Sequence, residues 1–385
     1  MDFSFTNEQK MLRKMIRRFA ENELEPRFKQ IEAEGYQQDI TDQMVDLGIV
    51  GIAVPEAYGG SGYDFVTQTM VIHELAKVNP GVAFTLEAHW KAVAQVVTYG
   101  SEELKNRWLK RANHELFTFG QTEPASGSDA STQQTRAIRN ADGWVLNGNK
   151  SFLTNGVLAA SVYLVLAITS PEKDLENSRT VFILDNKNPG FENGTVEEFI
   201  GMRGCPVGDF YLSDAFVADV DRLGEIDQGM EIGHEAHHTA RFLMGALAAG
   251  IQDRALKLAV DYVMERELFG KKMAHLDGVK FRITDIAMGA EATKLIMYHA
   301  AWLRDQGLHQ KSETTMAKLL GSDYALKAAN HAMQLYGAYG YSKEYPVEHL
   351  WRDAKALQYA EGAYEKLQID IANVALFERR GEAYL

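Results

Sequence analysis

Three stretches of the chain combine residue types that ligand chemistry requires. Gln121-Thr122-Glu123-Pro124-Ala125-Ser126-Gly127-Ser128-Asp129 gathers short hydroxyl side chains, backbone N–H groups and small residues. That combination suits a loop holding a polar, flat or phosphorylated ligand. Leu146-Asn147-Gly148-Asn149-Lys150-Ser151-Phe152-Leu153-Thr154-Asn155-Gly156 alternates apolar and polar residues as a strand does, and it ends on an Asn-Gly turn signal. His234-Glu235-Ala236-His237-His238 matches the His-Glu-x-x-His pattern of helical zinc proteases. In that reading His234 and His238 share a helix face as ligands and Glu235 is the base. No third ligand follows at the spacing such enzymes use, so the metal reading ranks below those developed next.

The elements that must position these residues fall into three blocks. A chain of 385 residues is too long for one simple core. Thr6 and Gln9 have capping-box spacing, and Met11, Leu12, Met15, Ile16 and Phe19 recur on one helical face. Helical patterns follow at Ile40 to Leu47, Val66 to Val78 and Glu87 to Tyr99, interrupted by the glycine-rich connector from Pro55 to Gly62. That connector lacks the Lys-Ser/Thr of a phosphate loop. From residue 117 the pattern changes to strands at Val162–Ala167, Thr180–Leu184 and Phe210–Leu212, without the intervening helices of a parallel sheet, so a small antiparallel barrel or sandwich is expected. Beyond about residue 229 a long apolar stripe runs Leu243, Leu247, Ile251, Ala255, Leu258 and Tyr262. Lys280 to Arg304, Lys311 to Leu335 and Ala360 to Leu376 complete an expected four-helix bundle. The expectation is a mainly α, α+β chain: a helical domain over 1–116, a β domain over 117–228 and a helical bundle over 229–385.

Composition removes several classes. The formal charge of −13 argues against nucleic acid and anionic membrane surfaces. No apolar run is long enough to span a bilayer. The single cysteine, Cys205, excludes an intramolecular disulfide framework and a cysteine-rich metal site. Met1-Asp2-Phe3-Ser4 lacks the basic and apolar regions of a signal peptide. A cytoplasmic enzyme is expected, with a processed organellar matrix protein as the alternative.

The order of motifs along nearly the whole chain resembles the acyl-CoA dehydrogenase family. The two central segments come first, then Arg266-Glu267-Leu268-Phe269-Gly270-Lys271, similar to the family's Arg-x-x-Phe-Gly-Lys. Gln334-Leu335-Tyr336-Gly337-Ala338-Tyr339-Gly340-Tyr341, Glu344-Tyr345-Pro346-Val347-Glu348, Arg352-Asp353-Ala354-Lys355 and Glu361-Gly362 complete the set. Each motif is weak alone; their order is what carries the resemblance.

The resemblance implies an FAD enzyme that oxidises the Cα–Cβ bond of an acyl-CoA thioester in fatty-acid metabolism and passes electrons to an electron-transferring flavoprotein. Glu361 takes the base position, with a pKa raised by desolvation toward working pH. Gly362 lets the thioester approach, and the backbone N–H of Glu361 serves the thioester oxygen. Ala240 occupies the alternative base position used by some members and cannot act. Gln121 and Thr122 are assigned to the isoalloxazine edge, Ser128 to the pyrophosphate and substrate region, Phe152 to the ring face and Thr154 to the vicinity of N5. Arg266, Phe269, Gln334 and Gly337 are expected at the FAD of a neighbouring subunit, which implies a homo-oligomer, a dimer of dimers in the usual family form. Arg241 is placed near the CoA arm, with a helix-surface salt bridge as its bland alternative.

Several positions depart from the family pattern: Ser126, His238, Asp277, Ala338, Ala360 and Ala363, the last removing a hydroxyl expected near the flavin. The acyl pocket floor, expected along Phe84 to Lys91, is bulky and polar over Leu86-Glu87-Ala88-His89-Trp90-Lys91, which points to a short, branched, aromatic or polar acyl group; Trp90 packing against the helical bundle is the alternative. The other readings carried are an enoyl-CoA reductase on the same machinery, an acyl-CoA oxidase and a non-catalytic scaffold.

Overall fold

The computed structural model describes residues 4–308 and 311–378; Met1-Asp2-Phe3, part of the stretch read for a targeting signal, lies outside them. The first block is helical: α1 (Asn7–Phe19), α2 (Phe28–Glu34), α3 (Gln38–Asp46), α4 (Phe65–Ala76), α5 (Pro80–Tyr99) and α6 (Glu102–Trp108). The capping box at Thr6 and Gln9 forms in both directions, satisfying two donors at the start of α1. Helix α5 begins at Asn79, whose side chain accepts from the Val82 N–H, with Pro80 at its first position. Pro55 to Gly62 is the connector expected, with Gly59 and Gly62 at positive φ.

The middle block holds β1 (Leu116–Gly120), β2 (Arg136–Arg139), β3 (Gly143–Thr154), β4 (Ala160–Ile168), β5 (Arg179–Asp185), β6 (Phe191–Val196), β7 (Val207–Ala218) and β8 (Arg222–Leu223). They form one sheet in the order β6-β7-β3-β2-β4-β5-β8, with β1 also paired to β4. Most pairings are antiparallel, as expected. The β1–β4 ladder and the single β2–β4 bridge, Arg136 to Ile168, are parallel, so the sheet is mixed. Phe210, Tyr163, Phe182 and Leu146 fill one apolar core, while Phe117, Leu164 and Ile183 join the sheet to α5 and α7 through another.

The third block starts with α7 (Gly229–Glu265), continues through the short hairpin β9 (Glu267–Leu268) and β10 (Lys271–Lys272), and then runs through α8 (Asp277–Asp305) and α9 (Lys311–Tyr336). Helix α7 packs on α8 and α9 and, from the first block, on α4 and α5. At Gly250 an added Cβ would lie 2.5 Å from Ala76 Cβ, so the contact between α7 and α4 requires its absence. The fourth bundle helix departs from expectation. Instead of one helix from Ala360, the chain forms α10 (Glu348–Ala356), turns, and resumes as α11 (Tyr364–Asn373). Glu361 sits in that turn with φ 58° and Gly362 with φ 113°, which no helix accommodates. Among the described residues no helix is long and apolar enough to cross a membrane.

Candidate active site

The turn between α10 and α11 is built by donors from the long helices. Arg241 on α7 is buried; its Nε donates to the Glu361 carbonyl at 3.3 Å and its Nη1 to Thr315 Oγ1 at 3.1 Å. Lys318 on α9 donates to the carbonyls of Gln358 at 3.2 Å and Gly362 at 3.0 Å. Burial pushes the Lys318 ammonium down to about 8. These bonds stabilise a left-handed backbone that glutamate rarely adopts, the kind of strain that persists where surrounding structure over-determines it. Arg241 is thus not a surface salt bridge: it holds the turn.

The Glu361 carboxylate points into the protein. One oxygen pairs with the Lys91 ammonium on α5, and the other lies 2.8 Å from His237 Nδ1 on α7. Burial works to raise its pKa, but the charge of Lys91 and the hydrogen bond from His237 outweigh that and hold the carboxyl well below its usual range. This corrects the expectation of a base raised by desolvation. The neighbouring Glu87 shows the opposite behaviour. It is fully buried, neither of its carboxyl oxygens has a hydrogen-bond partner, and desolvation pushes it up to about 8, with Lys91 opposing and Glu361 adding to the rise. Burial and the nearby Glu361 thus favour the neutral, protonated form of Glu87. Trp90, expected in the acyl pocket, is a core residue instead: its ring is fully buried and its indole N–H donates to the Val50 carbonyl at 2.9 Å. On a helix, Glu87 and Lys91 share a face that Trp90 does not.

The loop from Gln121 to Asp129 is fastened to the sheet by a pair that sequence reasoning missed. Lys150 Nζ lies 2.7 Å from Glu123 Oε1, both side chains fully buried, and Glu123 also accepts from the N–H groups of Gln134 and Thr135. Ser128 is exposed at one end of this loop and lines a cleft of about 460 Å3 with Lys355, Gln358, Tyr359, Ala363, Tyr364 and Glu365. The middle block and the Glu361 turn thereby face the same space.

The flavin-side residues suit a flat polar ring. Phe152 is 55% exposed, unusual for a phenylalanine on a strand, and lies parallel to Phe199 with centroids 6.3 Å apart. Gln121 Oε1 is buried with no partner, next to Gly233, where an added Cβ would lie 3.0 Å from it. An aromatic face, the hydroxyls of Thr122 and Thr154 and an unanswered amide oxygen supply the stacking surface and polar partners that such a ring needs. Arg266, Phe269, Gln334 and Gly337 are exposed on and beside the β9–β10 hairpin and at the end of α9, and no described contact joins them to the Glu361 cluster.

The zinc reading fails on geometry. His234 faces Glu176 at 3.9 Å, His238 faces Thr314 at 3.3 Å, and Glu235 is paired with Arg304 at 2.5 Å. Among the described residues no group of three metal-ligating side chains converges. The useful histidine of the motif is His237, which the pattern itself leaves unassigned.

This arrangement can be compared with known proteins. The models for the acyl-CoA dehydrogenase N-terminal, middle and C-terminal domains match residues 6–114, 118–215 and 227–376. The chain belongs to the acyl-CoA dehydrogenase family. An acyl-CoA dehydrogenase of Bacillus subtilis (strain 168) is 38% identical over 96% of this chain and 98% of its own length. An acryloyl-CoA reductase (NADH) of Anaerotignum propionicum is 37% identical over 97% and 95%. The solved structure of butyryl-CoA dehydrogenase from Megasphaera elsdenii superposes with a TM-score of 0.95 at 35% identity, covering 98% of this chain and all of that one.

Proposed function

We propose that this protein is an FAD-dependent acyl-CoA dehydrogenase in which Glu361 removes the α-proton of an acyl-CoA thioester. The observation that carries the assignment is the strained turn that holds the Glu361 carboxylate against Lys91 and His237, beside the cleft this turn shares with the Gln121–Asp129 loop. Family membership and the named relatives support the reaction class, an oxidation of a CH–CH bond. FAD, when bound, supplies the acceptor for the β-hydrogen and its electron pair.

The chain's own residues do the rest. Arg241 and Lys318 fix the carbonyls of the turn, so the Glu361 side chain is oriented without reorganisation. The Glu361 N–H is the expected donor to the thioester oxygen. His237, partly exposed while touching the base, offers a route by which the abstracted proton reaches solvent. Gln121, Thr122, Phe152 and Thr154 would hold the flavin ring and Ser128 its pyrophosphate end. Arg266, Phe269, Gln334 and Gly337 would serve the flavin of a neighbouring subunit.

Homo-oligomerisation, as a dimer of dimers, is supported by α8, which exposes Phe281, Met288, Leu295 and Trp302 at seven-residue spacing. Electron transfer to an electron-transferring flavoprotein and a cytoplasmic location belong to the same reading. The name of the Anaerotignum propionicum relative favours a second direction, reduction of an enoyl-CoA, on the same residues.

The test is the visible spectrum of purified protein during anaerobic titration with acyl-CoA thioesters. Flavin bands that bleach with a saturated thioester establish the reaction. Bands that never bleach with any saturated thioester, yet are regained from reduced protein by an enoyl-CoA, would establish the reductase direction. Protein that takes up no FAD would overturn both.

A further inference from the structure

We propose that the acyl group this enzyme accepts ends in a carboxylate, and that Lys91 leaves Glu361 to bind it. The inference rests on the dehydrogenase reading and specifies its substrate.

Its first support is the partner of the base. A carboxylate in contact with an ammonium is a poor proton acceptor, because the ion pair favours the charged form that proton transfer destroys. The side chains of Glu361 and Lys91 are only 9% and 11% exposed, so solvent does little to screen that pairing. Turnover therefore requires Lys91 to withdraw. An ammonium without a counterion is costly at such depth, so withdrawal requires another anion within reach of a flexible four-carbon stem. Arg241 and Lys318 add positive charge around the turn, Lys318 donating to the carbonyls of residues 358 and 362 and Arg241 to the Glu361 carbonyl and the Thr315 hydroxyl.

The second support is Glu87, one helical turn before Lys91 on the same face. Its two oxygens are buried and unpartnered. Buried polar groups are satisfied in the great majority of cases, so an orphaned carboxyl beside the base points to a ligand that completes it. A protonated Glu87 is a donor and suits an anionic tail rather than a hydrocarbon one. Together Lys91 and Glu87 offer a charged and a neutral donor to one carboxylate. A hydrocarbon tail would leave Lys91 on the base and Glu87 unsatisfied. Because the base must come within about 3–3.5 Å of the α-proton's carbon, a lysine that touches it reaches a carboxylate only a few bonds away. Short dicarboxylic monothioesters of about four or five carbons fit.

During dehydrogenation of such a substrate the Cα proton passes to Glu361, and FAD, when bound, would accept the β-hydrogen with its electron pair. A Cα=Cβ double bond replaces the two C–H bonds, and the distal carboxylate is unchanged. Lys91 is thus a specificity residue that also frees the base.

The experiment measures anaerobic bleaching rates of the FAD-loaded enzyme with succinyl-CoA and glutaryl-CoA. Each is set against the thioester in which an isopropyl group replaces the carboxylate, 4-methylpentanoyl-CoA and 5-methylhexanoyl-CoA, with butyryl-CoA as the reference for the reaction class. The wild type should favour the carboxylates by at least about 100-fold, a site whose buried polar groups are left unpaired being able to reject a ligand by about 10⁴–10⁵. Lys91→Met should abolish that preference and raise the rate on the isopropyl thioesters, whereas Lys91→Arg should keep the preference. Equal or faster bleaching by the isopropyl thioesters or butyryl-CoA in the wild type overturns the proposal and leaves the dehydrogenase reading intact. Retention of the carboxylate preference in Lys91→Met also overturns it. No bleaching by any of the five thioesters overturns the proposal, and the wider thioester titration described above then decides the dehydrogenase reading.

Discussion

Replacing Lys150 with methionine tests whether the ion pair beneath the Gln121–Asp129 loop holds the flavin-side half of the site. Lys150 and Glu123 are fully buried and 2.7 Å apart, and Lys150 Nζ also reaches the Gln121 carbonyl at 3.3 Å. Methionine keeps the stem and removes the ammonium, which strands a carboxylate in the interior. Breaking a buried pair in this way costs about 3–5 kcal/mol. Glu123 keeps its backbone donors at Gln134 (2.6 Å) and Thr135 (3.2 Å), which places the expected loss at the lower end, about 3 kcal/mol. Adding Glu123→Gln removes the stranded charge and should recover about 2 kcal/mol of that loss.

The pH dependence has a definite sign. In the wild type Lys150 and the backbone donors hold the Glu123 carboxyl below its usual value against the opposing effect of burial. Without Lys150 burial dominates and the folded-state pKa rises above the unfolded one. The folded state then gains on protonation, so the deficit of Lys150→Met should shrink as pH falls from 7 to 5. Urea unfolding followed by tryptophan fluorescence gives these values, and FAD retention on a desalting column reports the loop. A loss below about 1 kcal/mol at pH 7, or a double variant weaker than the single one, would refute the reasoning.

Three further outcomes follow from other sites. Glu361→Gln should fold and hold FAD while flavin bleaching slows at least about 100-fold, the scale of a lost general base; near-normal bleaching would mean the base is elsewhere. Gly362→Ala forces φ 113° on a residue with a Cβ that would lie 3.2 Å from Leu367 Cδ2 and 3.5 Å from Arg241 Nη2. It should cost about 1–3 kcal/mol of stability and slow bleaching about 10-fold or more by displacing Glu361; an unchanged melting temperature and rate would contradict this. Glu74 is buried among Arg13, Arg17 and Lys77, and these cations hold its carboxyl at about 2 against desolvation. Its folded pKa is depressed, so its contribution is present above the unfolded value and lost as pH falls through the range from about 5 to 2. Glu74→Gln should flatten the acid-unfolding curve there, and an unaltered curve would show that the triad does not drive acid unfolding.

The three-block order was readable because each block has a strong local signal: the capping box at Thr6, alternation along Leu146 to Thr154, and the stripe from Leu243 to Tyr262. The turn at residues 357–363 was not. Ala360, Ala363 and Tyr364 favour helix locally, and what breaks the helix is bonding from Arg241 and Lys318, more than 40 residues away in sequence. Glu361 was found through its motif, but its partners were not. Lys91 lies 270 residues away and His237 lies 124 away, so no spacing rule joins them to it. The available signal for Lys91 was the i, i+4 relation of Glu87 and Lys91 inside an otherwise apolar helix. Trp90 was left between pocket and core because size and polarity were read without asking which helix face each residue occupies. The reversed pKa of the base has the same origin: desolvation can be anticipated from burial alone, whereas a counter-charge must be located.

Glu361 occupies a left-handed conformation that favours glycine, asparagine and aspartate over glutamate. In the proposed role as base the first two could not act, and aspartate would hold its carboxyl one methylene short of Lys91 and His237. Stability and turnover therefore pull in opposite directions at a single residue. Random libraries sorted only for heat resistance should drift away from glutamate there and accumulate well-folded, flavin-bearing, inactive proteins. Evolution toward a new acyl group that keeps the proposed base at this residue has to draw its stabilising substitutions from elsewhere in the chain.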